Sequence, residues 1–274
     1  MKLNMNINDI SQTALLTLQC HAADAESQSP ILNDKSAVET LNTLKTELIH
    51  EDKELHKKLF HSKLKKSLVT HIALRAKQYD HYITEFIKSH PNVTVVNIGC
   101  GLDNRYDRVN NGTIQFFDID LPDIMSIKSQ LIPETDNYFQ LSQSVFDMDW
   151  IEKINTEHVM LVAEGVFMYC KEQDVRCLFS ALKTKLNNPH IVFEVFSSKW
   201  LKGWKQKLMN FKLRKQLKFE KGAAYQFGIK DSDEIENWSE NFKLLEDWSY
   251  FDVIKPNSSD FLRKIQWTVY YVIK

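Results

Sequence analysis

Gly99-Cys100-Gly101-Leu102-Asp103 directly follows the β-branched, apolar run Val93–Ile98. Glycine has no Cβ, so a pair of glycines at a strand end lets the backbone turn sharply and pass close to a ligand. The chain holds only seven glycines, which gives weight to two of them standing two apart. Roughly 20 residues later, Asp118-Ile119-Asp120-Leu121-Pro122 closes a second apolar run, where a carboxylate is placed to accept the hydroxyls of a ribose. Asp118 and Asp120 share one face of that strand, and Asp120 lies nearer its end. Glu164-Gly165 leaves a third apolar run, Val159–Ala163. A charge in such a place calls for a partner, and a cationic ligand group would supply one.

Each segment alone has a plainer reading, as a tight turn, a helix cap before Pro122, or a solvated strand end. Their combination at these spacings points to a ligand site. The position that completes a G-x-G-x-x-G fingerprint is Asn104. That glycine normally lets a helix pack near a pyrophosphate, so its absence argues against a dinucleotide and for a ligand without phosphates.

These segments must be held at one edge of a sheet. Val93–Ile98, Thr113–Ile119, Tyr138–Ser142, Val159–Ala163 and Ile191–Phe196 read as strands. Pro122–Leu131 and Gln173–Leu186 read as helices between them, an alternation that implies a parallel sheet with right-handed crossovers. Phe242–Val253 and Gln266–Ile273 read as two further strands with no helix between them, placed to pair antiparallel at an edge. The predicted fold class is α/β: a doubly wound, mostly parallel seven-stranded sheet. It carries an N-terminal helical extension and a helical insertion after strand five.

The extension, residues 1–90, reads as helices over Gln12–Ala25, around Val38–Ile49, over the lysine-rich Asp52–Lys66 and over Thr70–Lys88, with Pro91 as a stop. The single domain divides into this cap, a cofactor-binding core at 91–196, a substrate lid at 197–240 and edge strands at 241–274. Within the lid, Ser198–Lys221 reads as a helix carrying a basic run from Lys199 to Lys221. That run reads first as a solvated face, and second as a lid or an attractor of anionic substrate. The aromatics Trp200, Trp204, Tyr225, Phe227 and Trp238 read as core ahead of a substrate cage.

Apolar residues make up 43% and charged residues 26% of the chain, an ordinary globular balance. A net charge of −1 favours neither nucleic acid nor an anionic membrane as partner. No run of about 18 apolar residues and no secretory start is present. Cys20, Cys100, Cys170 and Cys177 show neither a CxxC pair nor histidine spacing for zinc, so no metal is expected. They read as free thiols in a reducing compartment, and the expected location is cytoplasmic.

With these pieces assembled, the chain resembles the leucine carboxyl methyltransferase family. Val95–Arg105 (VVNIGCGLDNR) is similar to that family's GAGLDTR turn, and Phe117–Pro122 to its VDxP strand end. Ala163–Tyr169 is similar to its EGxxxY segment, and Arg75–Asp80 to its RTRxxD helix. Order and spacing agree over roughly residues 70–200. The resemblance implies a Rossmann-like methyltransferase fold with S-adenosylmethionine at the carboxyl edge of the sheet. By matching positions, Arg75 would pair with the methionine carboxylate and Glu164 with the ammonium. Asp120 would accept the ribose hydroxyls, and the backbone at Gly99 and Gly101 would pass close to the cofactor. Near the adenine, where many members place Asp-Leu, this chain has Ser144-Val145, so Ser144 would meet the exocyclic amine as a neutral acceptor.

Methyl transfer from a sulfonium is an in-line displacement in which positioning supplies much of the rate. A carboxylate acceptor is already ionised, whereas a hydroxyl profits from a base. No catalytic base is identified; His21, Tyr169 and Tyr225 are the candidates. The preferred reading is an O-methyltransferase acting on a small molecule. The alternatives are methylation of a protein C-terminal carboxylate, a nicotinamide-dependent oxidoreductase on the same fold, and a non-catalytic cofactor-binding module.

Overall fold

The computed structural model describes residues 9–48, 64–201 and 225–274. Its centre is a seven-stranded sheet in the order β3-β2-β1-β4-β5-β7-β6. The strands are β1 (Thr94–Ile98), β2 (Gln115–Asp120), β3 (Tyr138–Ser142), β4 (Val159–Ala163), β5 (His190–Phe196), β6 (Phe242–Trp248) and β7 (Gln266–Ile273). The first five run parallel. β7 is antiparallel to both β5 and β6 and lies between them, so β6 alone forms that edge.

Apolar side chains leave alternate faces of the central strands, as a sheet covered on both sides requires. Val96, Leu161 and Phe193 pack against α6 (Glu172–Lys185), through Val175, Phe179 and Leu182. Val95, Met160 and Val192 pack on the other face against α3 (Lys66–Ser89), through Tyr79, Ile83 and Phe86. Two shorter helices, α4 (Arg105–Val109) and α5 (Pro122–Leu131), complete the crossovers around β2.

The described part of the N-terminal extension is α1 (Asp9–Ala25) and α2 (Lys35–Leu48). Leu15, Leu18, Leu41 and Leu44 join them and pack with Leu102 and Ile127, so the pair sits on the turn after β1 and on α5. The Asp24 carboxylate accepts backbone amides of Ile31, Leu32 and Asn33, which closes the connection between the two helices. Most of the predicted Asp52–Lys66 helix and of the Ser198–Lys221 run, with Trp204, lies outside the described residues. Among those described, Ser198–Trp200 and Glu234–Trp238 are short 3-10 turns.

One expectation is corrected. β6 ends at Trp248, not Val253, and two short helices, α7 (Phe251–Ile254) and α8 (Asp260–Arg263), stand between β6 and β7. The cause is local: the Ser249 amide donates to Asp252 Oδ2 at 3.0 Å, and Arg263 clasps Asp252. These side-chain bonds stabilise a helical turn where the aromatic pattern alone favours a strand. No helix among the described residues is long and apolar enough to cross a membrane.

Candidate functional site

In an open α/β sheet, ligands bind beyond the carboxyl ends of the strands, where the strand order reverses. Here β1 lies between β2 and β4, and its neighbours connect in opposite directions. A cavity of about 1640 Å³ opens at that place. Arg75, Gly99, Gly101, Asp120, Ser144, Val145 and Glu164 all line it.

The turn after β1 can only be built with glycine. Gly99 has a φ of 63°, and a Cβ there would come within 2.4 Å of Val166 Cγ2. Gly101 has a φ of 57° and lies under Ala14 of α1, 3.2 Å from where a Cβ would stand. The turn is tied to the next strand end through Asp120. Its Oδ2 accepts the Gly101 amide at 2.8 Å, and its Oδ1 accepts the Leu121 amide at 2.7 Å. Burial raises the Asp120 carboxyl above its usual range, against the pull of those two amides. Asp118, the other candidate on that face, is enclosed: it accepts from Asn97 and Tyr138 and pairs with Lys128 at 2.7 Å. It therefore serves the core.

Arg75 and Glu164 do not stand apart. Arg75 Nε donates to Glu164 Oε1 at 2.7 Å, and its Nη1 to Glu194 Oε2 at 3.0 Å. Glu164 also accepts from Arg105, which reaches Asp80 at 2.9 Å and Asp103 at 3.4 Å. Arg108 extends the network to Asp80, Asp103 and Asp34 at 2.6, 2.6 and 2.7 Å. Burial by itself would raise Glu164, but Arg75 and then Arg105 bring it down to about 2. Asp103 is likewise lowered, because Arg108 and Arg105 outweigh its burial. The network thus holds five carboxylates for three guanidiniums.

Of the candidate bases, His21 belongs to this network. Its Nδ1 lies 3.2 Å from Asp34 and 3.7 Å from Asp103, while its Nε2 is buried without a protein partner. Tyr169 and Tyr225 stack with ring centres 5.3 Å apart on the cavity wall. Burial pushes Tyr169 up to about 12 and raises Tyr225 well above its ordinary value, so both are neutral donors at pH 7. The sequence reading missed Glu194 and Gln266, which line the same cavity and bond to one another at 2.7 Å. It also missed His71, which stacks on Tyr250 at 4.0 Å. Burial, and then Arg75, lower His71 to about 3.

The residues fit S-adenosylmethionine on three observations. A carboxylate stands at the end of β2 with its backbone bonds already made; the turn after β1 has no Cβ to block an approach; and the surplus of carboxylates suits a ligand that is cationic overall. When bound, that cofactor supplies a methyl group on a positively charged sulfur.

A family model described as leucine carboxyl methyltransferase matches residues 14–183. The tetracenomycin polyketide synthesis O-methyltransferase TcmP of Streptomyces glaucescens is 26% identical over 252 residues, covering 90% of this chain and 86% of that protein. The S-adenosyl-L-methionine-dependent methyltransferase dpfgK of Gibberella zeae is 23% identical over 210 residues, covering 70% and 66%. A solved structure from Thermobifida fusca, described as a candidate methyltransferase, superposes with a TM-score of 0.56 at 14% identity, covering 93% of this chain and 94% of that one. A DUF574 family protein from Streptomyces avermitilis gives 0.56 at 10% identity over 94% and 97%. Both structures show the fold.

Proposed function

The chain belongs to the leucine carboxyl methyltransferase family and is an S-adenosylmethionine-dependent methyltransferase, and we propose that it methylates an oxygen, hydroxyl or carboxylate, of a small molecule. The observation that carries the proposal is one cavity lined by Arg75, Gly99, Gly101, Asp120, Ser144, Val145 and Glu164 together, with room beyond them. The likeness to an O-methyltransferase of polyketide synthesis over 90% of the chain supports oxygen as the acceptor atom.

In this reading Arg75 holds the cofactor's carboxylate and Glu164 its ammonium. Asp120 accepts the ribose hydroxyls, and Ser144 and Val145 border the adenine. The backbone at Gly99 and Gly101 lies along the cofactor. Arg105 and Arg108 keep Glu164 and Asp103 ionised, so the wall stays anionic near neutral pH. The chain's work is to exclude water, to orient the two reactants and to face positive sulfur with fixed negative charge. The acceptor lies toward β5 and β7, away from β2 and β3. The cytoplasm remains the expected location.

Titration calorimetry with S-adenosylmethionine, S-adenosylhomocysteine and NADH, followed by transfer of a labelled methyl to a panel of oxygen acceptors, tests this. Binding of both sulfur compounds without NADH, and label recovered on oxygen, is expected. Label on nitrogen or carbon alone would sink the acceptor assignment.

A further inference from the structure

Among the described residues, His21 Nε2 is a buried side-chain nitrogen without a hydrogen-bond partner, and no other such atom belongs to a residue lining the cavity. His21 stands on α1 and is only 1% exposed. A polar atom taken out of water without a partner is costly, so one that faces a ligand site marks a contact the ligand completes. The cofactor assignments above leave this residue unused.

The other ring nitrogen fixes what Nε2 can offer. His21 Nδ1 lies 3.2 Å from Asp34 Oδ2 and 3.7 Å from Asp103 Oδ1. Asp34 accepts from Arg108 at 2.7 Å on that same Oδ2, and from the Ser36 hydroxyl and the Ala37 amide on Oδ1. Burial raises the Asp34 carboxyl, but the His21 bond and then Arg108 bring it below its ordinary range. It is therefore a carboxylate and can only accept, so Nδ1 carries the hydrogen. With Arg108 already on Oδ2, Asp34 does not call for a second cation, and Nε2 presents a lone pair.

His21 shares its wall with Glu164. Asp103, beside the imidazole, is 3.4 Å from Arg105, which in turn donates to Glu164. Both Glu164 oxygens are already engaged, Oε1 by Arg75 and Oε2 by Arg105. An ammonium has three N–H donors diverging from one nitrogen, and a carboxylate shared with two arginines does not satisfy all three.

Resting on the S-adenosylmethionine reading above, we propose that His21 Nε2 is a second acceptor for the ammonium of the bound cofactor, beside Glu164. Asp34 sets the tautomer for this contact, as a carboxylate does when it orients a histidine that binds through its other nitrogen. A lone pair engaged by an ammonium takes no proton from the methyl acceptor, so His21 is not available as a base.

The test pairs two ligands, S-adenosylhomocysteine and its analogue lacking the α-amino group, with the whole chain and one variant. His21→Asn keeps an amide nitrogen where Nδ1 meets Asp34 and removes the Nε2 position. Calorimetry is expected to show S-adenosylhomocysteine weakened by about tenfold in His21→Asn, as loss of one hydrogen bond to a charged group predicts. The deaminated analogue should bind wild type and variant alike. An equal loss for both ligands would make His21 a support of the cap, and no loss for either would make it a bystander; each overturns the proposal. Should the variant fail to fold, nitrogen-15 spectra of the wild-type histidines decide alone. With S-adenosylhomocysteine bound, Nδ1 should carry hydrogen and Nε2 none, and the Nε2 signal should differ from that in the complex with the deaminated analogue. A hydrogen on Nε2, or the same Nε2 signal in both complexes, overturns the assignment. Failure of the methyltransferase reading itself would show separately, as wild-type protein that binds no S-adenosylhomocysteine.

Discussion

Arg75 Nε and Glu164 Oε1 lie 2.7 Å apart. The motif match assigns these two residues to opposite charges of one ligand, the carboxylate and the ammonium of a methionine moiety. Their direct pairing makes the two assignments a single one. A zwitterion can enter such a pair by matching each of its charges to the complementary side chain, so the wall does not leave a bare charge in either state. Glu164 is backed by Arg105 and Arg75 by Glu194, which keeps both in place. Glu164→Gln is therefore expected to weaken S-adenosylmethionine by about 1.5–3 kcal/mol, as loss of a charged hydrogen bond does. Calorimetry reads it, and an unchanged affinity in a folded variant would make Glu164 a purely structural partner of the arginines.

Asp120 combines a structural and a binding role, and two variants separate them. Asp120→Ala removes the acceptor for the Gly101 and Leu121 amides as well as any ribose contact, with an expected loss of about 1.5–3 kcal/mol in cofactor binding. Asp120→Asn keeps one acceptor oxygen and should lose less. Equal affinities for wild type and both variants would remove Asp120 from the site.

The strands were legible because β-branched and aromatic runs are unambiguous when both faces are buried. β3 and β4 match their predicted bounds, and β1, β2 and β5 start or end within two residues of them. The tail was misread at Phe242–Val253, where the bonds of Ser249, Asp252 and Arg263 override an aromatic pattern. At the site, residues that end a strand or carry a glycine could be found from position alone. Glu194 could not, because it sits inside the apolar run IVFEVF; its one signal was a lone charge in an otherwise buried strand. His71 was hidden in the same way in a helix, and Gln266 at the start of β7. Asp80, Asp103 and Arg105 stood in the quoted motifs without a role. Arg105 neutralises Asp80 across 25 residues of sequence, which only the fold reveals, as well as Asp103 two residues before it.

Gly99→Ala tests the turn after β1. The new Cβ would lie 2.4 Å from Val166 Cγ2 in a backbone with a φ of 63°. A loss of about 1–3 kcal/mol is expected from strain and overlap together. Adding Val166→Ala should recover the steric part and leave the conformational part. Urea denaturation of the single and double variants measures both; full recovery in the double variant would show that the left-handed backbone costs nothing.

Arg108 joins three parts of the chain, reaching Asp34 of the N-terminal cap, Asp80 of α3 and Asp103 of the turn after β1. Its removal takes a guanidinium from three largely buried carboxylates, leaving Asp80 and Asp103 to Arg105 and Asp34 to His21. Arg108→Ala should cost about 3–5 kcal/mol, the usual effect of breaking a buried pair from one side. Because Asp34 is the cap's share of the contact, limited proteolysis of the variant should cut earliest between residues 9 and 48. Uniform digestion across the chain would mean that the cap is held by its leucines alone.

Acid should destabilise the fold in two stages, and the sign follows from where each proton goes. At the far end of the sheet His190 accepts or donates a hydrogen bond with the Tyr270 hydroxyl at 2.6 Å, near His90 and His158. Burial, with those two histidines, lowers it to about 4 from its ordinary 6.5, and His71 is lowered to about 3. In both cases the unfolded chain takes up a proton that the folded chain refuses, so their stabilisation is full above pH 6.5 and is lost as pH falls toward 4 and then 3. Each such proton gives a slope of at most about 1.4 kcal/mol per pH unit. Glu164, lowered from 4.5 to about 2, adds its own loss in the lower part of that range. Denaturation midpoints measured from pH 8 to pH 4 should therefore begin to fall near pH 6.5, before most carboxylates titrate. Replacing His190 by Gln should about halve the slope between pH 6.5 and 4 and leave the share of His71; a slope unchanged in this variant would remove His190 from the upper stage.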